Sequence, residues 1–214
     1  MIPDRRAFLK CGCCSVLSAL YRPALAQSRV PFCCYSVHGG WSDIAGRRIE
    51  ARPTDQGDRT GILQVVARIE DALGFSAEIE VFMTKEHEDN AFATIVQGRK
   101  LLVVDAAFIE DANATADTNW AAIEIIAHEV GHHIAGFSGD SYVCELNADY
   151  WSGQALQRLG AGEEAARKSM LAVGDPVDTR THPNRIRRAE VISQGWTDAK
   201  AGTINWSHCE RCRG

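Results

Sequence analysis

The chain has 214 residues, of which 45% are hydrophobic and 24% are charged. This composition is typical of a globular protein, and the length suits one sizeable domain better than two. The formal net charge is -5. Because no lysine- and arginine-rich block offsets this charge, we expect neither nucleic acid nor anionic lipid as the main partner. No stretch is apolar enough for a membrane-spanning helix, so we expect no transmembrane segment in the mature chain.

The first 26 residues have the features of an export signal. The paired Arg5 and Arg6 precede a short, weakly apolar stretch, which ends in the small-residue cleavage motif Ala24-Leu25-Ala26. Paired arginines in this position resemble a twin-arginine signal, which predicts a periplasmic or secreted bacterial protein. We therefore predict a signal peptide over residues 1–26 and a single domain over residues 27–214. Removal of the signal would change the net charge from -5 to -8.

The first half of the mature chain combines one helix with a small sheet. After an irregular entry segment, apolar residues recur at helical spacing from Ile62 to Leu73, and Gly74 follows as a predicted C-terminal cap. Residues 77–83 alternate as in a strand. Residues 92–96 and 101–104 are rich in β-favouring side chains around a turn, which predicts a hairpin.

The second half is predicted to be helical. One helix begins near Asn119 and ends near Gly136, and a second runs from about residue 142 to 159. Shorter helices are predicted over residues 163–173 and 183–194, the latter with Pro183 at its first position. The expected fold is α+β, with a small antiparallel or mixed sheet packed on the helix from Asn119, followed by further helices.

That helix contains the pattern HExxH, formed by His128, Glu129 and His132. Residues four apart project from the same face of a helix, so both imidazoles can bind one metal ion. Glu129 lies beside them, where a carboxylate can accept the proton of a water molecule activated by the metal. The motif predicts one catalytic Zn²⁺ ion and Glu129 as general base. His133 points away from this face, so we predict a structural role for it.

The next helix supplies two further acidic residues, Glu145 and Asp149. We predict Glu145 as the third metal ligand and Asp149, one turn later on the same face, as an acceptor for a ligating imidazole. Three protein ligands leave one coordination position open, as catalytic zinc requires. Gly131 is unfavourable within a helix, and either close packing of another element or simple tolerance explains it.

These residues resemble the HtpX/Ste24-like M48 peptidases, a family of zinc enzymes among the gluzincins. His128–His132 resembles the zinc helix of that family, and Glu145–Asp149 resembles its ExxAD segment. Asn90–Ala93 is similar to the edge of its active-site sheet, and Thr181-His182-Pro183 to its C-terminal His-Pro element. The resemblance implies a zincin-like fold and an endopeptidase that acts on polypeptides.

The same resemblance assigns roles to four more residues. Asn90 and Ala91 would form hydrogen bonds with an extended substrate, by adding it to the sheet edge. His182 would lie near the metal, where it would stabilise the developing oxyanion or occupy the open position as a removable plug. Arg185 is a further substrate-binding candidate. The structural alternative for Asn90 and Ala91 is a turn into a strand. The alternative for His182 is a helix cap.

The mature chain would retain five cysteines: Cys33, Cys34, Cys144, Cys209 and Cys212. In an oxidising compartment the two terminal pairs are expected to join each other, leaving Cys144 as a free thiol. A small structural zinc site formed by the terminal pairs and a redox function of Cys209 and Cys212 are alternatives. For the whole protein, the alternative to a peptidase is a catalytically silent metal-binding protein that serves periplasmic assembly or interaction.

Overall fold

The computed structural model of the protein describes residues 56–84, 91–96, 98–137 and 140–209. The predicted signal peptide and nearly all of the predicted entry segment lie outside these ranges. So do four residues with predicted roles, namely Asn90, Cys33, Cys34 and Cys212.

The described residues form six α-helices and three strands, so the predicted α+β class is confirmed. The helices are α1 (Gln56–Leu73), α2 (Ala106–Ala116), α3 (Ala121–Ala135), α4 (Ser141–Arg158), α5 (Glu163–Val173) and α6 (Arg185–Lys200). The strands are β1 (Glu80–Thr84), β2 (Ala91–Val96) and β3 (Arg99–Asp105), and a short 3₁₀ turn covers Trp206–His208. None of the described helices is both long and apolar enough to cross a bilayer.

The sheet is mixed, with strand order β1-β3-β2. β1 runs parallel to β3, with Glu80 opposite Leu101, and β2 runs antiparallel to β3, with Ala91 opposite Val104. The connection between β2 and β3 contains Gly98 at a φ of 80°, a backbone conformation that glycine adopts without steric cost. The predicted hairpin is therefore confirmed, and β2 lies at one edge of the described sheet.

The main core lies between α1, the sheet, α3 and α4. The apolar stripe predicted on α1 is buried, with Ile69 fully inaccessible to solvent, and it meets Leu102 of β3 and Val130 of α3 in one hydrophobic cluster. α1 ends at Leu73 and is followed by Gly74 at a φ of 72°, as expected for a glycine cap. This core therefore fixes the position of α3 relative to α1 and α4.

Two elements differ from the sequence predictions. Helix α2 was not predicted, because its sequence AAFIEDANATA has few large apolar residues at helical spacing. Helix α6 begins at Arg185, after an Asn184 side chain that accepts hydrogen bonds from the Ile186 and Arg187 N–H groups. The predicted start at Pro183 and end at residue 194 were wrong. The helix continues through Gly195. A Cβ at this position would lie 2.1 Å from the carbonyl oxygen of Tyr150, so this glycine permits close packing and does not end the helix.

Helices α3 and α4 also approach each other closely at a glycine. A Cβ on Gly131 would lie 2.7 Å from the carbonyl oxygen and 3.0 Å from the Cα of Ala148. Close packing is therefore the reason for Gly131, as one of the two sequence interpretations proposed. The contact brings the face of α3 with His128 and His132 against the face of α4 with Glu145.

Candidate metal centre

The predicted metal-binding residues of α3 are buried and close together. His128 is 5% exposed, Glu129 4% and His132 0%. One possible ligand atom from each lies within 4.8 Å of the others, so this cluster could hold a metal ion. Helix geometry explains the arrangement, because residues 128 and 132 are four apart.

Glu145 of α4 faces both imidazoles. Its Oε2 lies 3.4 Å from His128 Nε2, and its Oε1 lies 3.6 Å from His132 Nε2. Tetrahedral ligands at zinc bond lengths of about 2.0–2.1 Å are separated from one another by about 3.3–3.4 Å. The two separations between Glu145 and the imidazoles are close to these values.

Asp149 lies one turn further along α4 and holds His128 from the other side. Its Oδ1 is 2.8 Å from His128 Nδ1, so the imidazole donates its Nδ1 proton to this carboxylate. Such a contact orients the imidazole, and its Nε2 faces Glu145 and lies 3.3 Å from a terminal nitrogen of Arg188 in α6. The geometry is the one predicted for Asp149 from the sequence.

Arg188 of α6 is a site residue that the sequence analysis missed. Its Nε and one terminal nitrogen donate to the two oxygens of Asp149, at 2.8 and 2.9 Å. The same terminal nitrogen lies 3.2 Å from Glu145 Oε2. Arg188 therefore links both carboxylates of α4. A signal was present in the sequence, because Arg188, Ile192 and Gly195 have helical spacing, and Ile192 and Gly195 face the core.

Arg185 is the first residue of helix α6. Its backbone N–H donates to the carbonyl oxygen of Asp175 at 2.7 Å, in the first turn of α6. The arginine that contacts the carboxylates lies one turn later, at Arg188. The predicted role of Arg185 in substrate binding stays a prediction.

His182 also reaches the centre. Its Nε2 lies 3.5 Å from Glu145 Oε1, and its Nδ1 lies 2.9 Å from Thr181 Oγ1. The His182 backbone N–H donates to Thr179 Oγ1 at 2.9 Å, so the loop before α6 holds the residue at this position. Three imidazoles thus face a single carboxylate, and all four residues are at most 5% exposed.

Edge strand β2 lies next to Glu129. Ala91 is 2% exposed, and a backbone hydrogen bond from Ala93 reaches the Glu129 carboxylate. The Oε2 atom of Glu129 is buried and has no hydrogen-bond partner among the described residues. A buried carboxylate oxygen without a partner is costly, which is typical of a functional position.

The electrostatic environment gives the ionisable groups different proton affinities. Burial raises the pKa of Glu129 to about 8, whereas burial and the neighbouring His128 lower the pKa of His132 to about 3. Burial alone would raise the pKa of Glu145, but Arg188 and His128 hold it well below its usual range. Glu145 is therefore ionised and His132 neutral, as metal ligation requires. Although burial lowers the pKa of His128, Asp149 and Glu145 raise it to about 10, so His128 would have to lose a proton before it could bind a metal ion.

Two neighbouring residues have other roles. His133 is 1% exposed, and its Nε2 lies 3.0 Å from the carbonyl oxygen of Leu101 in β3, which agrees with the predicted structural role. Cys144 Sγ lies 3.5 Å from His132 Nδ1.

Cys144 and Cys209 are both disulfide-bonded. The prediction that Cys144 is a free thiol was therefore wrong. It rested on an odd count of cysteines and on the grouping of the other four into two terminal pairs, whereas pairing depends on closeness in space. A disulfide-bonded Cys209 provides no thiolate, so it does not fit the alternative of a structural zinc site either.

Comparison with known proteins adds no family assignment. No family model, no curated protein and no solved structure matches the chain. The assignment of a function therefore depends on the chemistry of the residues themselves.

Proposed function

We propose that the protein is a zinc-dependent endopeptidase of zincin-like fold that cleaves polypeptides in the bacterial periplasm. The supporting observation is the convergence of His128 Nε2 and His132 Nε2 on the Glu145 carboxylate, at separations of 3.4 and 3.6 Å. Two imidazoles and one carboxylate are a ligand set of catalytic zinc. Zinc bound there supplies a Lewis acid and makes water a better nucleophile near neutral pH.

Glu129 is the general base in this proposal. Its buried Oε2 without a partner in the described chain is available to accept the proton of the attacking water. A pKa raised to about 8 by burial favours the later return of that proton to the leaving amine. With a metal ion bound, the pKa of Glu129 would be lower, so that Glu129 would start the cycle ionised.

The substrate would lie along β2, the edge strand beside Glu129. An extended peptide can add to a sheet edge through backbone hydrogen bonds, and Asn90 and Ala91 are at the start of this edge. His182 would then stabilise the negative charge that develops on the scissile carbonyl oxygen. Arg188 would keep Glu145 and Asp149 ionised and in place through its contacts with both.

The test is hydrolysis of unfolded casein by the zinc-loaded protein and by two variants. Glu129→Gln keeps the three ligands, so zinc should stay bound while hydrolysis falls by about two to four orders of magnitude. Glu145→Ala removes a ligand, so zinc affinity and hydrolysis should fall together. Hydrolysis by Glu129→Gln at the wild-type rate would refute the mechanism. If Glu145→Ala keeps stoichiometric zinc, the third ligand is another residue, with Asp149 and His182 as the candidates.

One observation favours a second function, that of a catalytically silent metal-binding protein. His182 Nε2 is 3.5 Å from Glu145 Oε1, close enough to complete four ligands around one ion and leave none of its positions open. In that case His182→Ala should create activity. If His182 instead assists catalysis, the same variant should lose activity while it keeps its zinc.

A further inference from the structure

A pocket of about 100 Å³ lies beside His128 and Glu129. Phe108, Ile125, Met170 and Val173 contribute to its lining and make much of it apolar. A pocket of this size suits one side chain of a bound polypeptide better than a larger ligand. Its position next to the predicted general base would place that side chain beside the peptide bond to be cleaved.

Glu124 also lines this pocket and has no role in the mechanism proposed above. It lies four residues before His128 on α3, so both project from the same helix face, and it is 1% exposed. One carboxylate oxygen accepts a hydrogen bond from Ser169 Oγ at 2.7 Å. The other, Oε1, is buried and has no hydrogen-bond partner in the ranges that the structure describes. Burial raises the pKa of this carboxyl group, as expected for an acid that lacks a cationic partner.

His128 and Arg188 lower the pKa of Glu124 less than burial raises it, and neither forms a hydrogen bond with its Oε1 atom. Arg188 lines the pocket, but its guanidinium donates two hydrogen bonds to Asp149 and contacts Glu145. Asp175, at the end of α5, adds a second, partly buried carboxyl group to the lining. Two acidic groups in a mostly apolar pocket disfavour an acidic side chain, because like charges repel.

A lysine or arginine side chain fits this combination of surfaces. Its methylene stem would pack on Phe108, Ile125 and Met170, and its cationic head would reach the acidic groups. A charge-assisted hydrogen bond to a buried carboxylate is among the stronger polar contacts. It would also supply the partner that Glu124 Oε1 lacks.

We propose that this pocket selects a lysine or arginine side chain of the polypeptide substrate, and that Glu124 binds its cationic head. The proposal deepens the endopeptidase function and rests on it, because the pocket is assigned to the substrate of the same site. It makes Glu124 the residue that determines specificity, whereas Glu129 and the metal ligands perform the chemistry.

Binding of three peptide hydroxamates to the zinc-loaded protein tests the pocket without any need for hydrolysis. They differ only in the first side chain after the hydroxamate, which is lysine, norleucine or glutamate. Norleucine has nearly the same chain length as lysine but no ammonium group. The lysine compound should bind at least about tenfold more tightly than the norleucine compound, and the glutamate compound most weakly. Equal binding of lysine and norleucine, or no binding of any of the three, would overturn the proposal.

Glu124→Gln should remove the preference for lysine, so that the norleucine compound binds as well as the lysine compound. The glutamine oxygen can still accept the Ser169 hydrogen bond, and zinc content and thermal midpoint should therefore stay unchanged. Asp175→Asn should weaken the preference by a smaller factor. Glu190→Gln, at an exposed position of α6, is the matched control and should have no effect. A lysine preference that survives in Glu124→Gln would refute the role of this residue.

A cleavage assay separates this proposal from the endopeptidase function on which it rests. A random peptide library is incubated with the wild-type protein and Glu124→Gln, and the new N-terminal and C-terminal residues are identified by mass spectrometry. Enrichment of lysine and arginine at one position, lost in Glu124→Gln, supports both proposals. Cleavage without such enrichment keeps the endopeptidase and overturns the pocket. Lysine-selective hydroxamate binding without cleavage of any peptide keeps the pocket and overturns the endopeptidase.

Discussion

Arg188→Ala should destabilise the metal-free protein strongly, since it leaves two buried carboxylates without their cation. Glu145 is 1% exposed and Asp149 0%, and the Arg188 side chain itself is 11% exposed. Removal of one partner from a buried ion pair typically costs about 3–5 kcal/mol. With a urea dependence of about 2 kcal/mol/M, the unfolding midpoint in the presence of a chelator should fall by about 1.5–2.5 M.

Zinc should reduce this loss, because a bound dication stabilises Glu145 in place of the guanidinium. About half of the loss should remain, since Asp149 still loses two charge-assisted hydrogen bonds. The measurement is urea unfolding followed by tryptophan fluorescence, with chelator and with saturating zinc. Arg187→Ala, at the exposed neighbouring position, is the control and should change the stability by less than about 0.5 kcal/mol. A loss below about 1 kcal/mol in metal-free Arg188→Ala would refute the view that Arg188 compensates these buried charges.

Four further predictions address the packing, the neighbouring histidine, the disulfides and export. Gly131→Ala should lower the thermal stability and the zinc affinity, because its Cβ would clash with Ala148 backbone atoms at 2.7 and 3.0 Å. Gly61→Ala is the control, since a Cβ there would have no atom within 4 Å, and it should be neutral or stabilising by about 0.5–1 kcal/mol. His133→Ala should lower the free energy of unfolding by about 1–3 kcal/mol through loss of its contact with Leu101, while zinc stays bound. His132→Ala should lose zinc, and retention of zinc by this variant would contradict the ligand assignment. Alkylation of the unreduced, denatured protein should leave Cys144 and Cys209 unmodified in peptide mapping, and labelling of Cys144 would contradict its disulfide. Export should stop when both Arg5 and Arg6 are replaced by lysine, and undiminished periplasmic protein would contradict the twin-arginine assignment.

The sequence predicted those parts of the site that depend on local helix geometry. His128 and His132 are on one face because they are four residues apart, and Asp149 follows Glu145 on the next helix at the same spacing. Such spacings are fixed once a segment is helical. The glycine at position 131 could be interpreted in advance for the same reason, because its cost in a helix requires a cause.

The missed features depend on packing between distant parts of the chain. Arg188 is one of three arginines in four residues of α6. Its helical spacing with Ile192 and Gly195 indicates an inward position only once the helix start at Asn184 and the packing of Gly195 against α4 are known. In the sequence, Glu124 resembles an ordinary acidic residue in the first turn of a helix. Its burial involves packing against α5, where Ser169 donates a hydrogen bond to it. Pairing of Cys144 likewise depends on the fold rather than on the spacing of cysteines. Long-range contacts of this kind leave no periodicity in the sequence.

The balance of buried charge in the centre would suit a bound divalent cation. When ionised, Glu129, Glu145 and Asp149 carry three negative charges, and Arg188 carries one positive charge. All three carboxylates are at most 4% exposed, so water does not screen them well. Without an ion, bound protons offset the excess of two negative charges, because burial raises the pKa of Glu129 to about 8. Although burial lowers the pKa of His128, Asp149 and Glu145 raise it to about 10. A dication would replace these two protons and leave both imidazoles neutral, so metal binding should release protons from Glu129 and His128.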